Sequence, residues 1–227
     1  MSKFISIFRR KSFLISLAIV VSAMGVVGVF IKTGLFQENS KPSVIVVPQS
    51  IVCFDFKIGI LIEATVDYGC PSYATSLGDG AIPAPSAQAS GLNPLLRTRF
   101  RAAQMVAKKE NVKLEITSGF RSLELQAKLF ADEIKLKGSE EEASKWVLPP
   151  QYSHHPMGTA IDVNYNYDKD STLWLETNGY KFGLCRVYKN EWWHFEGATA
   201  PGVKCPPMKL NALADVNPSP SSSPTGN

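Results

Sequence analysis

The three histidines of this chain lie in two short segments that also contain carboxylates. The first segment, 153–163, reads SHHPMGTAIDV, and the second, 191–196, reads EWWHFE. Two imidazoles and one carboxylate suit zinc, and three protein ligands with an open fourth position are typical of catalytic zinc sites. A further carboxylate would then remain free to take a proton from an attacking water molecule. These segments therefore indicate a metal-dependent hydrolytic site.

The spacing within the segments limits how their side chains can point. On a strand, Asp162 would point away from its two apolar neighbours, which would face a core. Glu191 and His194 are an odd number of positions apart, so a turn at Glu191 is needed if they share a site. Arg121 follows a predicted strand, and it offers a fixed positive charge to an oxygen that becomes negative during hydrolysis.

The same residues also have simpler interpretations. His194 lies between two aromatic residues and is compatible with ordinary packing, whereas His154 and His155 are compatible with loop positions. Arg121 is compatible with a surface ion pair. A cysteine-based zinc site is disfavoured, because the four cysteines include no C-x-x-C pair.

Helix and strand signals surround these segments. Asn93 and Pro94 form a typical helix start, and apolar residues then recur at helical spacing for about four turns. Strict alternation over 112–117 predicts a half-buried strand. Ser122 is expected to cap a second helix, and the capping-box pattern at Ser139 predicts a third.

Residues 13–31 form a run without charged side chains that is about 28 Å long as a helix, which is enough to cross a bilayer once. Basic residues are concentrated before the run, so the positive-inside rule leaves the N-terminus in the cytoplasm. We predict a retained single-pass anchor, and a cleaved signal peptide is the alternative. Both place the body of the chain outside the cytoplasm, in the cell envelope.

Cysteine usage and charge agree with an exported globular protein. Four cysteines in an exported chain favour disulfides, and of three possible connectivities we prefer the local pairs, Cys53 with Cys70 and Cys185 with Cys205. Residues 33–227 carry 19 basic and 20 acidic side chains. This balance supplies no basic surplus for phosphate contacts, so we expect no nucleic-acid partner.

Three motifs in this sequence resemble those of a known enzyme family. The string S-x-H-x-x-G-x-A-x-D at 153–162, followed by E-x-W-H at 191–194, resembles the signature of zinc D,D-peptidases of the VanY and VanX type. SGFRS at 118–122 with Gln126 is similar to the SGYRS-x-x-x-Q segment of VanY-type D-alanyl-D-alanine carboxypeptidases. Residues 174–183 resemble the helix that precedes the last motif in that family.

The resemblance implies a fold and a metal site. The fold is α+β, a small antiparallel sheet flanked by helices, known as the zinc D,D-peptidase or hedgehog-like fold. Zn²⁺ would be bound by His155, Asp162 and His194. Glu191 would act as the general base.

The resemblance also implies roles for residues around the metal. Arg121 would polarise the scissile carbonyl and stabilise the oxyanion. Ser153 and Gln126 would contact the substrate or support the site by hydrogen bonds. His154 falls on a variable position of the motif and is left out of the ligand set. Glu196 stands where arginine is frequent in the family, at a position that would flank the substrate groove.

The implied activity is that of a zinc metallopeptidase, a D,D-carboxypeptidase that removes the terminal D-Ala from peptidoglycan stem peptides. A peptidoglycan endopeptidase of the same fold is the main alternative, and a non-catalytic zinc-binding cell-wall protein is a further one. The expected organisation has five segments: a cytoplasmic N-terminus (1–12), a transmembrane anchor (13–31), an extracytoplasmic stalk and N-terminal extension (32–91), the zinc D,D-peptidase domain (92–205), and a disordered Pro/Ser tail (206–227).

Overall fold

The structure is a computed structural model that describes residues 49–165 and 167–216. Its strands are β1 (Ser50–Asp55), β2 (Ile60–Thr65), β3 (Thr75–Asp79), β4 (Ile116–Ser118), β5 (Ala160–Val163), β6 (Cys185–Arg186) and β7 (His194–Glu196). Its α-helices are α1 (Pro94–Lys109), α2 (Leu123–Lys137), α3 (Glu140–Ser144), α4 (Lys169–Asn178) and α5 (Leu213–Val216). The predicted anchor at 13–31 lies outside the described residues. None of the helices in the described part of the chain has the length and apolarity that a membrane span needs.

The strands form two antiparallel sheets, and helices lie beside them, so the expected α+β class is confirmed. The N-terminal sheet has the order β2-β1-β3, and the second sheet has the order β4-β5-β7-β6. In the second sheet β5 is an inner strand, and every one of its residues is buried. Because β5 has neighbouring strands on both sides, a polar side chain on it is shielded from water.

Both sheets share one hydrophobic core. Val52 and Phe54 of β1 lie in the same buried cluster as Phe100 of α1 and Phe195 of β7. The N-terminal extension from residue 49 onward is therefore part of the folded body rather than a stalk. The segment 71–91, although rich in Pro, Gly, Ser and Ala, contributes strand β3 to this body.

The predicted helix starts are confirmed by their capping contacts. The Asn93 side chain accepts hydrogen bonds from the backbone N–H groups of Leu95 (2.9 Å) and Leu96 (3.4 Å) at the start of α1. Ser122 Oγ caps α2 and Ser139 Oγ caps α3 in the same way. These caps fix where α1 and α2 begin, and so they fix the loops that reach the site.

The strand predicted at 112–117 is shorter than expected, since β4 begins only at Ile116. The side chain of Asn164 replaces the missing strand contacts. Its Nδ2 donates to the Lys113 carbonyl (2.8 Å), and its Oδ1 accepts from the Glu115 N–H (2.7 Å). Leu114 is buried as predicted. The alternating pattern therefore predicts correctly which side chains are buried. It does not predict that the backbone here is hydrogen-bonded by the side chain of Asn164.

The disulfides and the C-terminal segment complete the body. The predicted pairs Cys53 with Cys70 and Cys185 with Cys205 are both confirmed. The structure differs from the expected disordered tail over 206–216, because this stretch bonds to the body and ends in α5. The apolar side chain of Ala212 is buried there, which explains why the Pro-rich composition did not prevent packing. Residues 217–227 lie outside the described residues.

Candidate active site

The second sheet brings two predicted site residues face to face. Asp162 of β5 is directly opposite His194 of β7 in the antiparallel register. Ile161 and Val163 lie in the core, so Asp162 points to the other face, as alternation predicts. The predicted turn before β7 is also present, because the His194 N–H bonds back to the Glu191 carbonyl (3.4 Å). Strand pairing and turn together collect three polar side chains at one end of the sheet.

His155 reaches the same place from the loop before β5. Its Nδ1 lies 2.7 Å from the backbone oxygen of Gly119, and since a carbonyl can only accept, Nδ1 carries the hydrogen. The Nε2 lone pair is therefore directed at the site. The loop needs Gly158, whose φ is 68° and where an added Cβ would lie 2.6 Å from the Gly91 oxygen. The close contact with the start of α1 holds the histidine loop in place.

The three donor atoms lie at distances that fit a tetrahedral cation. His155 Nε2 is 3.4 Å and His194 Nδ1 is 3.2 Å from Asp162 Oδ1. All three side chains are buried, and their donor atoms lie within 4.8 Å of one another. Zinc bonds of about 2.0 to 2.1 Å at tetrahedral angles separate two ligands by about 3.3 Å. The donor set His155, Asp162 and His194 therefore fits zinc in type and in spacing.

Arg121 forms an ion pair with the second carboxylate oxygen of Asp162. Its guanidinium forms an ion pair with Asp162 Oδ2, its Nε donates to Ser118 Oγ (2.9 Å), and a terminal nitrogen donates to Gln126 Oε1 (3.3 Å). Gln126 is itself fixed, because its Nε2 donates to the Leu148 carbonyl (2.7 Å). This arrangement leaves Asp162 Oδ1 as the single oxygen that faces the two imidazoles.

Glu191 is buried beside the donor atoms, and its carboxylate is incompletely paired. Its Oε2 lies 3.8 Å from His194 Nδ1, and its buried Oε1 has no hydrogen-bond partner among the described residues. Burial, which penalises the charged carboxylate, raises the pKa of Glu191 to about 7. A carboxyl group with such a pKa can accept and return a proton at neutral pH.

The buried acidic groups favour a positive charge on His194. Burial alone would lower its pKa, but hydrogen bonds to Asp162 and Glu196 raise the pKa of His194 to about 10. Burial would raise the pKa of Asp162, yet the imidazoles of His155 and His194 hold it well below its usual range. A cation bound between the donors would take the place of the His194 proton. The cluster is thus electrostatically suited to a metal ion.

Sequence reasoning missed two residues that lie next to this cluster. Glu196 Oε1 is 3.0 Å from His194 Nε2, and Glu196 Oε2 is 2.7 Å from His154 Nδ1. Burial would raise the pKa of Glu196, but its hydrogen bonds with His154 and His194 lower it to about 2. The available signals were the histidine at a variable motif position and the acid where arginine is frequent.

The cluster opens into a cleft of about 830 Å³. All of the residues that the sequence analysis selected line it: Arg121, Gln126, Ser153, His155, Asp162, Glu191 and His194. Its walls also include residues 87, 88 and 90 before α1, Trp146 beyond α3, and Ala212 near the C-terminal end of the described chain. The cleft is open to solvent, so an extended peptide can enter it.

The part of the chain that contains this arrangement is similar to a known family. A family model described as VanY, D-alanyl-D-alanine carboxypeptidase, matches residues 90–198. Residues 90–198 are therefore similar to the VanY-type family. The match begins just before α1 and ends after β7, so it contains the whole donor cluster. The N-terminal sheet and the C-terminal segment from residue 199 onward lie outside it.

Two curated relatives match the VanY-type segment. A D-alanyl-D-alanine carboxypeptidase of Enterococcus faecalis is 29% identical over 126 residues, which cover 46% of this chain and 46% of that protein. The putative carboxypeptidase YodJ of Bacillus subtilis is 36% identical over 107 residues, which cover 42% of this chain and 37% of that protein. The chain therefore spans less than half the length of either relative.

Solved structures are also similar to this chain. A mutant of the vancomycin resistance D,D-pentapeptidase VanY from a VanB-type cassette, in complex with Zn(II), is 24% identical with a TM-score of 0.44. That match covers 48% of this chain and 74% of the VanY chain. The LdcB LD-carboxypeptidase is 25% identical with a TM-score of 0.43, over 50% of this chain and 69% of LdcB.

Proposed function

We propose that this protein is a zinc-dependent D-alanyl-D-alanine carboxypeptidase that hydrolyses the terminal D-Ala of peptidoglycan stem peptides. The observation that carries the proposal is the convergence of His155, Asp162 and His194 beside Glu191, inside the segment that matches the VanY family. The donor set offers three protein ligands, as catalytic zinc sites do. The Enterococcus faecalis relative, named for this activity, supports the choice of substrate.

Zinc held by His155, Asp162 and His194 would act as a Lewis acid that lowers the pKa of water and polarises a carbonyl oxygen. Glu191 supplies the base. Its carboxylate lies beside the donor set and keeps one buried oxygen free of hydrogen bonds within the described residues, so it can accept a proton as water attacks the carbonyl carbon. The same group then gives that proton to the amide nitrogen as the C–N bond breaks. Free D-Ala and the shortened peptide are the products.

Arg121 supports this reaction by fixed charge. Its contacts with Asp162, Ser118 and Gln126 hold the guanidinium at the wall of the cleft. A cation in that place stabilises the negative charge that develops on the carbonyl oxygen, and it needs no rearrangement during the reaction. Gln126, whose amide is engaged at both ends, acts by orienting Arg121.

Ser153 is the remaining candidate for substrate contact. It is buried at the edge of the cleft, two residues before His155. A hydroxyl can both donate and accept, so Ser153 suits a peptide group of the substrate. The cleft beyond it is large enough for more than the terminal dipeptide, which suits a stem peptide.

The location follows from the sequence and is supported by the disulfides. Two disulfides in the folded body are typical of a protein outside the reducing cytoplasm. The apolar run at 13–31 would tether the body to the outer side of the cell membrane. Membrane attachment and the wall substrate are thus parts of one proposal.

The test uses the full chain, purified in detergent, and a muropeptide that ends in D-Ala-D-Ala. We expect mass spectrometry to show the loss of one alanine, which a chelator abolishes and added zinc restores. Larger released fragments would instead identify an endopeptidase. A folded, zinc-loaded protein that cleaves neither this peptide nor cross-linked wall would overturn the enzyme assignment and favour a binding protein.

A further inference from the structure

The proposed metal ligand His194 is held by a second carboxylate on its outer side. Its Nδ1 faces Asp162 (3.2 Å), while its Nε2 lies 3.0 Å from Glu196 Oε1. The other oxygen of Glu196 pairs with His154 Nδ1 at 2.7 Å. Glu196 is buried, and His154 is only partly exposed at the cleft. Both oxygens of Glu196 are therefore occupied by imidazoles.

The pleat of β7 explains why Glu196 reaches this place. Residues two apart on a strand share a face, so Glu196 lies on the same side as His194, while Phe195 between them enters the core. Tyr188 covers the His194 ring from another direction, with 5.1 Å between ring centroids. Among the described residues, Glu196 is the group that hydrogen-bonds His194 Nε2.

A metal-binding imidazole must present one lone pair and carry its hydrogen on the other nitrogen. A carboxylate that accepts this hydrogen fixes the tautomer, sets the ring plane and makes the ligating nitrogen more basic. Glu196 meets this requirement, because it accepts from Nε2 and leaves Nδ1 toward the donor cluster. His154 in turn prevents the carboxylate of Glu196 from rotating away.

We propose that Glu196 and His154 are positioning residues of the zinc site, acting on the metal through His194. Glu196 sets the orientation and basicity of that ligand, and His154 holds Glu196. The inference rests on the proposed zinc site, but it does not depend on which peptide is cleaved. Neither residue binds the metal directly, but both act on it through His194. Their loss should therefore weaken zinc binding as well as turnover.

The experiment measures the zinc dissociation constant of the full chain by competition with a chromophoric chelator. We expect Glu196→Ala to weaken zinc binding about 10- to 100-fold, as the loss of such outer partners typically does. Glu196→Gln should lose less, because its amide oxygen still accepts from Nε2. His154→Ala should lose the least of the three, and it should add nothing in the Glu196→Ala background, because it acts through Glu196.

Glu176→Ala is the matched control. Glu176 is also a carboxylate paired with a cation, Arg186 Nη1 at 2.7 Å, but it does not line the cleft. Its loss should leave the zinc dissociation constant unchanged. The visible spectrum of the cobalt-substituted protein gives a second readout, since a reoriented His194 changes the metal geometry and a loss of surface charge does not.

The outcomes separate this inference from the proposed function. If Glu196→Ala keeps its circular dichroism spectrum and binds zinc within threefold of the parent, the positioning role is refuted. If that variant does not fold, Glu196→Met decides, because it keeps the side-chain size but offers no acceptor oxygen to Nε2. A parental dissociation constant together with a parental cobalt spectrum in Glu196→Met refutes the role. A parent chain that binds no zinc would overturn the metal site itself, and this inference with it.

Discussion

The two antiparallel sheets of this protein pack into one core, yet they use burial in opposite ways. The N-terminal sheet buries apolar side chains such as Val52 and Phe54, and a disulfide ties β1 to Cys70. The second sheet buries Asp162, His194 and Glu196 on the face that meets the cleft. Among the described residues, no side chain of β1, β2 or β3 lines that cleft. The N-terminal sheet therefore contributes stability. The second sheet holds buried charges whose desolvation cost must be offset by oppositely charged side chains or by a bound cation.

The largest effect that follows from this contrast is the loss of the base. Glu191→Gln keeps the size of the side chain but cannot accept a proton, so we expect kcat to fall about 10²- to 10⁴-fold. Zinc content, measured by atomic absorption, should stay at the parental level because Glu191 is outside the donor set. Full activity in a zinc-loaded Glu191→Gln protein would show that another group is the base.

Phe54→Ala tests the other side of the comparison. Phe54 is fully buried and packs against Phe56 at 4.9 Å between ring centroids. Its truncation should reduce the free energy of unfolding by about 3–5 kcal/mol, measured by urea denaturation. The KM for the muropeptide should not change while the protein is folded. A large KM change would mean that the N-terminal sheet takes part in substrate binding.

The disulfide of the N-terminal sheet should have a somewhat smaller effect. Replacing Cys53 and Cys70 together by serine removes a link across 17 residues, so we expect a loss of about 2–4 kcal/mol in unfolding free energy. Turnover at 25 °C should match that of the parent. A stability loss no larger than that of a surface substitution would show that hydrophobic packing alone holds this sheet.

The smallest predicted effect concerns pH and the zinc-free protein. The pKa of Glu191 is about 7 when folded and near 4.5 when unfolded, so the folded state retains a proton that the unfolded state releases between these values. Stability from this group is present below about pH 4.5 and falls as pH rises toward 7. Between pH 6 and pH 7 the parent should lose about 1 kcal/mol more than Glu191→Gln.

Urea denaturation of both proteins at the two pH values measures the difference, and a chelator keeps them free of zinc. Equal losses in the two proteins would contradict the raised pKa of Glu191. A greater loss in the Gln variant would mean that folding lowers the pKa of Glu191 instead of raising it.

The parts of the site that the sequence predicts are those whose chemistry restricts the residue type. Few side-chain types can bind zinc, and the motif spacing predicts His155, Asp162 and His194 as the ligands. Helix starts were equally predictable, because an Asn or Ser cap satisfies local N–H groups within three residues. Features that depend on neighbouring residues can thus be predicted from a short stretch of sequence.

Contacts between residues that are far apart in the sequence cannot be predicted from a local pattern. Asn164 bonds to backbone groups near residue 114, about 50 positions away, and thereby shortens β4. Glu196 and His154 meet only because β7 pairs with β5 beside the histidine loop. Packing of the N-terminal sheet and of residues 206–216 into the body likewise depends on contacts across the whole fold.

The bridge that Glu196 forms between His154 and His194 has an evolutionary consequence. A mutation of Glu196 to arginine would leave both imidazoles without their acceptor and add a cation next to them. A mutation of His154 to an acid, taken alone, would place two carboxylates against each other. Each single change is unfavourable, and the double change restores a charge pair between positions 154 and 196, so the effects of changes at these two positions are expected to be coupled.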